Sequence, residues 1–201
     1  VNMAQSTNDV IPTAGKLTVL DLLKPLDKTL SRLEKALYDK SKEFDHIVKI
    51  GRTQLEDAVP MRLGQTFHSY ASMITRDRDR LKQVRTEMYT VNMGATAVGT
   101  GINTSSYYFD HIVPTLAHIT GYPLTQASDL FDATENLDSF VRISSCLKAC
   151  AVNLSKMCND LRLLASGPKA GLGEITLPAM QNGSSIMPGK VNPVIPEVVS
   201  Q

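Results

Sequence analysis

Apolar residues recur along one face of the first long segment, from about residue 9 to residue 41. Their spacing alternates between four and three residues, which places them on one side of an α-helix. They are Val19, Leu23, Leu26, Leu30, Leu33 and Leu37. The polar run from Ser6 to Asp9 can cap the start of this helix, and Pro12 is tolerated if it falls in the first turn. Pro25 lies in the interior, where a proline predicts a bend.

Two further segments repeat an apolar row at seven-residue intervals. The segment from about 62 to 92 carries Phe67, Ile74, Leu81 and Met88, and the segment from about 134 to 166 carries Phe140, Leu147, Leu154 and Leu161. A shorter helix is expected at about 107 to 119, and another begins after Pro193. Narrow apolar stripes on long helices need partners along their whole length. The pattern therefore predicts an all-α fold, a long-helix bundle that oligomerises.

Composition narrows the classes of partner. The chain has 201 residues, of which 42% are hydrophobic, so it can form a globular core. Lys and Arg number 21 against 20 Asp and Glu, and the net charge is only +1. This balance gives no electrostatic basis for binding nucleic acid or an anionic membrane. No apolar run approaches the roughly 20 residues that a membrane span needs. We therefore expect no nucleic acid and no membrane among the partners.

Cysteine and histidine are spaced without a metal-binding pattern. Cys146, Cys150 and Cys158 fall in one helical pattern and include no Cys-x-x-Cys pair. This favours small buried side chains in a reducing cytoplasm over a metal or redox site. The four histidines do not cluster in sequence either. We predict no metal site and a cytoplasmic location.

The richest chemistry lies in the segment 183–193, Gly-Ser-Ser-Ile-Met-Pro-Gly-Lys-Val-Asn-Pro. Two glycines and two prolines in eleven residues predict an irregular loop rather than a helix or strand. Within it, Lys190 provides a cation for a carboxylate, and Asn192 can donate a hydrogen bond to the same group. Ser184 and Ser185 add a pair of hydroxyls, which a turn could also use as caps.

A second cluster of small polar residues, Ser6, Thr7 and Asn8, lies at the predicted start of the first helix. The side chains and the exposed backbone N–H groups of a helix start can bind an anion. Ordinary N-capping is the alternative reading, and one residue can serve both purposes.

Several segments together resemble the fumarase/aspartase superfamily. Besides 183–193 they are 1–9, 51–60, 92–101 and 159–168, so the resemblance covers essentially the whole chain. It implies that residues 1–201 are a fragment of the central helical-bundle domain, an incomplete fumarase/aspartase fold whose N-terminal and C-terminal domains are absent. It also implies a homotetramer in which each active site is shared between subunits, and catalysis without an organic cofactor.

The same resemblance implies roles for individual residues. Ser184 is expected to be the base that removes a proton from the substrate carbon. Thr7 and Asn8 are expected to hold a carboxylate, and Ser6 to contact the developing enediolate. Thr53, on an irregular stretch between the first two long helices, is expected to bind substrate. Lys190 and Asn192 are expected to hold a substrate carboxylate.

Gln54 narrows the reaction class. Many members of the superfamily carry His at this position, whereas a neutral amide donates a hydrogen bond but does not act as an acid near neutral pH. Within the resemblance, Gln54, its neighbours Thr53 and Leu55, and the run 196–199 favour a carbon–nitrogen lyase. Such an enzyme eliminates ammonia from L-aspartate to give fumarate. Fumarate hydration is one alternative. The other is that this piece alone is a non-catalytic helical oligomerisation module, inactive by itself.

Overall fold

A computed structural model describes residues 3–201. The helices are α1 (Thr7–Glu43), α2 (Leu63–Arg85), α3 (Ser106–Thr120), α4 (Leu130–Glu135), α5 (Asp138–Leu164) and α6 (Val194–Ser200). The strands are β1 (Val48–Thr53), β2 (Glu56–Arg62), β3 (Thr90–Val91) and β4 (Thr125–Gln126). The strands form two small two-stranded sheets, β1 with β2 and β3 with β4. The predicted fold class, all-α with long helices in a bundle, is confirmed.

The chain divides into two units, Val1–Cys146 and Leu147–Gln201. The first unit contains α1 to α4 and both sheets, and the second contains the loop 183–193 and α6. Helix α5 begins in the first unit and ends in the second. None of the helices within residues 3–201 is both long enough and apolar enough to cross a membrane.

The core of the first unit lies between α1 and α2. The row predicted for the second helix is buried throughout: Phe67, Ile74 and Leu81 lie on α2, and Met88 lies just beyond its end. On α1 the fully buried part of the row is narrower, with Leu23, Leu30 and Leu37 seven residues apart. Seven residues are close to two turns, so these three side chains lie in line toward α2. The remaining predicted positions on α1 are half-buried.

The contact between α1 and α2 depends on close approach at one end. A Cβ at Gly64 would lie 2.3 Å from the carbonyl oxygen of Ser41, so only glycine allows this approach. Beside it, Phe44 and Phe67 meet edge to face with centroids 5.2 Å apart. Further along α2, the Arg78 guanidinium donates hydrogen bonds to the carboxylates of Asp27 and Glu34 on α1. Besides the apolar rows, the two helices are thereby joined by a close backbone approach at one end and by ion pairs further along.

The stretch between α1 and α2 is more regular than predicted. It is an antiparallel hairpin in which Val48 pairs with Arg62 and Thr53 pairs with Glu56. The expectation of an irregular stretch was wrong because β2 lacks alternating burial: six of its seven residues are exposed. Without one buried face, a strand leaves no period-two pattern in the sequence.

Two helix boundaries differ from the predictions, and Pro12 lies deeper in α1 than expected. The second helix ends at Arg85, earlier than expected, because Thr86–Tyr89 tightens into a 3₁₀ turn and Thr90–Val91 pairs with β4. The third long helix, α5, begins at Asp138 rather than at about 134, because the preceding residues form the separate short helix α4. Pro12 is the sixth residue of α1 and so lies beyond the first turn. Helix α1 continues through Pro25, where the bend stays a prediction.

Candidate functional site

Helix α1 begins at the polar cluster that the sequence analysis singled out. Ser6 is the N-cap: its Oγ accepts a hydrogen bond from the Asn8 N–H at 3.1 Å, and the Asp9 carboxylate accepts the Ser6 N–H at 2.9 Å. This reciprocal pair is a capping box. Thr7 and Asn8 are exposed. Capping therefore engages the Ser6 hydroxyl, while Thr7 and Asn8 stay accessible to solvent.

The segment 92–97 packs against this helix start and fixes it. The buried carboxylate of Asp9 accepts N–H groups from Gly94 at 3.3 Å and from Thr96 at 3.0 Å. The Asn8 amide donates to the Ala97 carbonyl at 2.7 Å. In the other direction, the Asn92 amide donates to the Asn8 carbonyl at 3.0 Å. The start of α1 is thus held by residues 84 to 89 positions away in the sequence.

Thr53 and Gln54 lie at the tip of the β1–β2 hairpin. Gln54 and Leu55 form its two-residue turn, with φ of 53° and 69°. A two-residue turn with both φ values positive normally uses Asn and Gly, since residues with a larger side chain resist this region. Thr53, Gln54 and Leu55 are all exposed. The tip therefore presents large side chains in a conformation that local energetics disfavour, which is typical of a functional contact.

Ser184, Lys190 and Asn192 lie on one loop of the second unit, which is irregular as predicted. The Ser184 N–H donates to the Lys190 carbonyl at 3.0 Å, and the Lys190 N–H donates to the Met187 carbonyl at 3.1 Å. The Met187 N–H donates to the Ser184 Oγ at 3.3 Å. Gly189 has a φ of 85°, in the left-handed region that favours glycine. These bonds close the loop upon itself, and most of its residues are exposed.

A cavity of about 400 Å³ lies within the second unit. Its walls are formed by residues of the segment 165–173 that follows α5, by the stretch 175–179, and by the loop residues Gly189 to Pro193. Lys190 and Asn192 both line it. The cavity thus offers an ammonium and a carboxamide within three residues of one another, which suits a carboxylate ligand.

The predicted site residues fall into three groups. Ser6, Thr7 and Asn8 lie together at the start of α1, and Ser184, Lys190 and Asn192 lie on one loop. Thr53 and Gln54 lie on the hairpin that follows the other end of α1. That helix has 37 residues, so it is about 55 Å long. Within the first unit, the hairpin tip and the start of α1 therefore belong to opposite ends of one helix.

The histidine and cysteine side chains make contacts unrelated to metal or redox chemistry. Among residues 3–201, no group of three or more His, Cys, Asp or Glu side chains is arranged to hold a metal ion. No cysteine in the described part of the chain forms a disulfide, and burial raises the pKa of the Cys158 thiol. The His111 ring stacks on the Tyr107 ring with centroids 4.1 Å apart.

The sequence analysis missed two residues at the start of α1. Asp9 was read only as a cap and Asn92 was given no role, although both are buried and bind the segments that meet there. One signal was present in the sequence. Pro12 lacks an N–H, so the carbonyl of Asn8, four residues earlier, has no helical donor and needs another partner. That signal does not identify the partner, because Asn92 lies 84 positions away in the sequence.

Comparison with known proteins places the chain in a family. A family model described as "Lyase" matches residues 1–201. The chain is 55% identical over 201 residues to a protein named aspartate ammonia-lyase from Bacillus subtilis (strain 168), covering all of this chain and 42% of that one. The chain thus spans less than half the length of the curated relatives it matches.

Two solved structures share the fold. The cobalt-bound crystal structure of a fumarate lyase:delta crystallin from Brucella melitensis matches with a TM-score of 0.97 and 50% identity, covering 100% of this chain and 44% of that one. A recombinant class II fumarase from Schistosoma mansoni matches with a TM-score of 0.92 and 35% identity, covering 99% and 45%. Because the family match extends over every residue, this chain belongs to the lyase family of the fumarase/aspartase superfamily.

Proposed function

We propose that the protein containing this chain is an aspartate ammonia-lyase, which converts L-aspartate to fumarate and ammonia without an organic cofactor. The observation that carries the proposal is the loop 183–193, where Lys190 and Asn192 line a cavity and Ser184 lies on the same short loop. The Bacillus subtilis relative, which bears this name, supports aspartate as the substrate.

The reaction breaks a C–H bond and a C–N bond of the substrate. Ser184 takes the proton from the carbon beside a carboxylate, and the electron pair left behind forms an enediolate. The electrons then return to form the double bond of fumarate as the amino group departs. Serine is a poor base unless its alkoxide is stabilised, and the Met187 N–H that donates to the Ser184 Oγ contributes to that stabilisation.

Hydrogen-bond donors are needed where negative charge develops. Lys190 and Asn192 hold one substrate carboxylate. Ser6, Thr7 and Asn8, at the positive end of the α1 dipole, serve the second carboxylate and the enediolate. The stabilisation is effective because donors fixed before the reaction need no reorganisation during it. Thr53 adds a further contact to the substrate.

Gln54 separates the proposal from its nearest rival, fumarate hydratase. The match to the Schistosoma mansoni fumarase keeps that alternative open. A histidine can carry a proton during hydration, whereas the neutral amide of Gln54 cannot do so near neutral pH. We therefore favour ammonia elimination. Turnover of L-malate compared with that of L-aspartate distinguishes the two reactions.

We further propose a homotetramer whose active sites are shared between subunits. The length of α1, about 55 Å, supports this, because one first unit cannot bring its hairpin tip to its own α1 start across that helix. A mixture of two inactive variants tests the sharing. Ser184→Ala and Thr7→Ala subunits, unfolded and refolded together, should regain part of the activity, whereas each variant refolded alone should not. No recovery in the mixture would contradict shared sites.

Residues 1–201 would then correspond to the central helical-bundle domain, with N-terminal and C-terminal domains elsewhere in the protein. We propose that this 201-residue piece assembles but does not turn over aspartate, so that alone it acts as an oligomerisation module. Light scattering and an activity assay on the piece test both statements. The cysteines without disulfides support a cytoplasmic location.

The decisive experiment uses the full-length enzyme. Fumarate absorbance should grow when L-aspartate is supplied, with no such growth for Ser184→Ala. A full-length protein that is folded and tetrameric, but silent with L-aspartate and active with L-malate, would refute the proposal in favour of fumarate hydratase.

A further inference from the structure

Pro12 creates a gap in the hydrogen bonding of α1. As the sixth residue of the helix it has no N–H to donate, so the carbonyl of Asn8 lacks its intrahelical partner. The side-chain amide of Asn92 fills the gap, donating to the Asn8 carbonyl at 3.0 Å. A residue 84 positions away thereby completes the first turns of α1.

Asn92 is itself fixed in place. Its side chain is only 3% exposed. The amide nitrogen also donates to the Thr134 hydroxyl at 3.1 Å, and the amide oxygen accepts from the Thr13 hydroxyl at 3.4 Å. With both ends of the amide engaged, the side chain cannot rotate without losing bonds in a buried setting, where unmade hydrogen bonds are costly.

Asp9 provides the second attachment. Its carboxylate is 0% exposed and accepts three backbone N–H groups, from Ser6 at 2.9 Å, Thr96 at 3.0 Å and Gly94 at 3.3 Å. One of these donors belongs to the residue that caps α1, and the other two belong to the segment that carries Asn92. The same buried carboxylate therefore joins the helix start to the segment 92–97.

We propose that Asn92 and Asp9 are positioning residues for the polar start of α1. They touch no substrate but hold the backbone of Ser6 to Asn8, so that these residues present a fixed arrangement of donors. The inference rests on the proposed function in one respect: the donors are those we assign to substrate carboxylate and enediolate. Its physical basis is that a displacement of about 1 Å at a donor can cost up to about a hundredfold in rate.

Pro12 makes the proposal separable from a purely structural role. In Asn92→Ala the Asn8 carbonyl loses its only non-helical donor described here, so both stability and positioning should suffer. Adding Pro12→Ala restores an N–H that can satisfy that carbonyl within the helix. The double variant should therefore regain part of the lost thermal stability, whereas the link that Asn92 makes between α1 and the segment 92–97 stays broken.

The experiment compares Asn92→Ala, Pro12→Ala and the double variant in the full-length enzyme. We expect Asn92→Ala to lower the Tm and to raise the KM for L-aspartate at least about tenfold. Pro12→Ala alone should leave the KM unchanged. The double variant should recover part of the lost Tm but keep the raised KM. Recovery of the KM together with the Tm, or a normal KM in Asn92→Ala, would overturn the positioning role.

Asp9→Asn tests the second attachment, with Asp77→Asn as a matched control. Both substitutions remove a buried carboxylate charge, but Asp77 lies on α2 and is paired with Arg80 at 3.0 Å. We expect Asp9→Asn to raise the KM for L-aspartate and Asp77→Asn to leave it unchanged. Equal KM values for the two variants would contradict a specific role for Asp9. If Asn92→Ala does not fold, Asn92→Leu nearly keeps its size and still removes the donor.

Amide hydrogen exchange separates this proposal from the proposed function. Exchange in the peptide that covers residues 6–9 should be faster in Asn92→Ala and remain fast in the double variant. A wild-type enzyme without activity toward L-aspartate would refute the proposed function, and exchange would still decide the positioning. Unchanged exchange in Asn92→Ala would refute the positioning whatever the activity.

Discussion

The start of α1 and the loop 183–193 carry the same kinds of side chain, but different interactions hold the two segments in place. Hydroxyl and amide groups occur in both, but α1 is held by buried groups 84 to 89 residues away. The loop is closed by bonds among residues 184 to 190, and most of it is exposed. A segment with few buried contacts opens at lower free energy than one tied to the core. The first region is therefore preformed, whereas the second can move.

This contrast fits a division of labour in the proposed reaction. Charge-stabilising donors act best when they are fixed in advance, as at the start of α1. A base that must approach the substrate carbon and shield it from water benefits from a loop that closes after binding. The predictions below test whether Ser184 and the movement of its loop control turnover, while Lys190 and the helix start control binding.

The largest effect is expected from Ser184→Ala. Removing the proposed base should lower kcat by about 10²–10⁴-fold, with a much smaller change in the KM for L-aspartate. Steady-state kinetics of the full-length enzyme measures both constants. Ser185→Ala, the adjacent exposed serine, is the matched control and should keep most of the activity. Near-normal kcat in Ser184→Ala would remove Ser184 from the mechanism.

Lys190→Ala should have the next largest effect. It removes the ammonium that lines the cavity, so the KM for L-aspartate should rise by about 10–100-fold, in line with the loss of a charge-assisted hydrogen bond. Lys169→Ala removes an exposed lysine from the same unit without altering the cavity wall and should leave the KM unchanged. Equal effects of the two substitutions would mean that net charge, rather than the Lys190 contact, determines binding.

Gly189→Ala tests the mobility of the loop. Gly189 has a φ of 85° with no atom within 4 Å of an added Cβ, so alanine is disfavoured only by its backbone angle, by about 1–2 kcal/mol. We expect kcat to fall by about tenfold as the loop changes its preferred conformation. Gly121, the C-cap of α3, has a φ of 69° and equally open space. Gly121→Ala should therefore destabilise similarly but leave kcat unchanged, and a similar fall in kcat would contradict the role of the loop.

The smallest effect concerns the packing of α1 away from its start. Arg78 donates to Asp27 at 2.8 Å and also to Glu34, and Thr75 donates to Glu34 at 2.5 Å. The hydrogen bond from Arg78 lowers the pKa of Asp27, and those from Thr75 and then Arg78 lower the pKa of Glu34. Since Asp27 is well exposed, Arg78→Met should cost at most about 1 kcal/mol.

The pH dependence of that loss has a definite sign. A carboxylate with a lowered pKa stabilises the folded state above its unfolded pKa, and this contribution disappears as the pH falls through the folded value. The difference in unfolding free energy between wild type and Arg78→Met should therefore be full at neutral pH and shrink below about pH 4. Urea unfolding measures it, with the exposed Arg76→Met as control. An altered KM in Arg78→Met would show that general helix packing, rather than the local attachment, positions the start of α1.

Much of the fold could be predicted because its information is local. The heptad row on α2, from Phe67 to Leu81, and the Ser6 cap of α1 both arise from neighbouring residues. The hairpin escaped prediction because β2 is exposed on both faces and contains Pro60, and because its turn uses Gln54 and Leu55 where Asn and Gly are expected.

By itself the sequence determined the long helices, the irregular loop at 183–193 and the membership of the superfamily. Apolar periodicity and the backbone effects of proline and glycine act within a few residues, so the sequence alone reveals the helices and the loop. Only the tertiary structure decided that Asn92 completes the hydrogen bonding of α1 at Pro12, and that Asp9 binds the segment 92–97. A hydrogen bond needs two groups within about 3 Å, and for residues more than 80 positions apart only packing brings them that close.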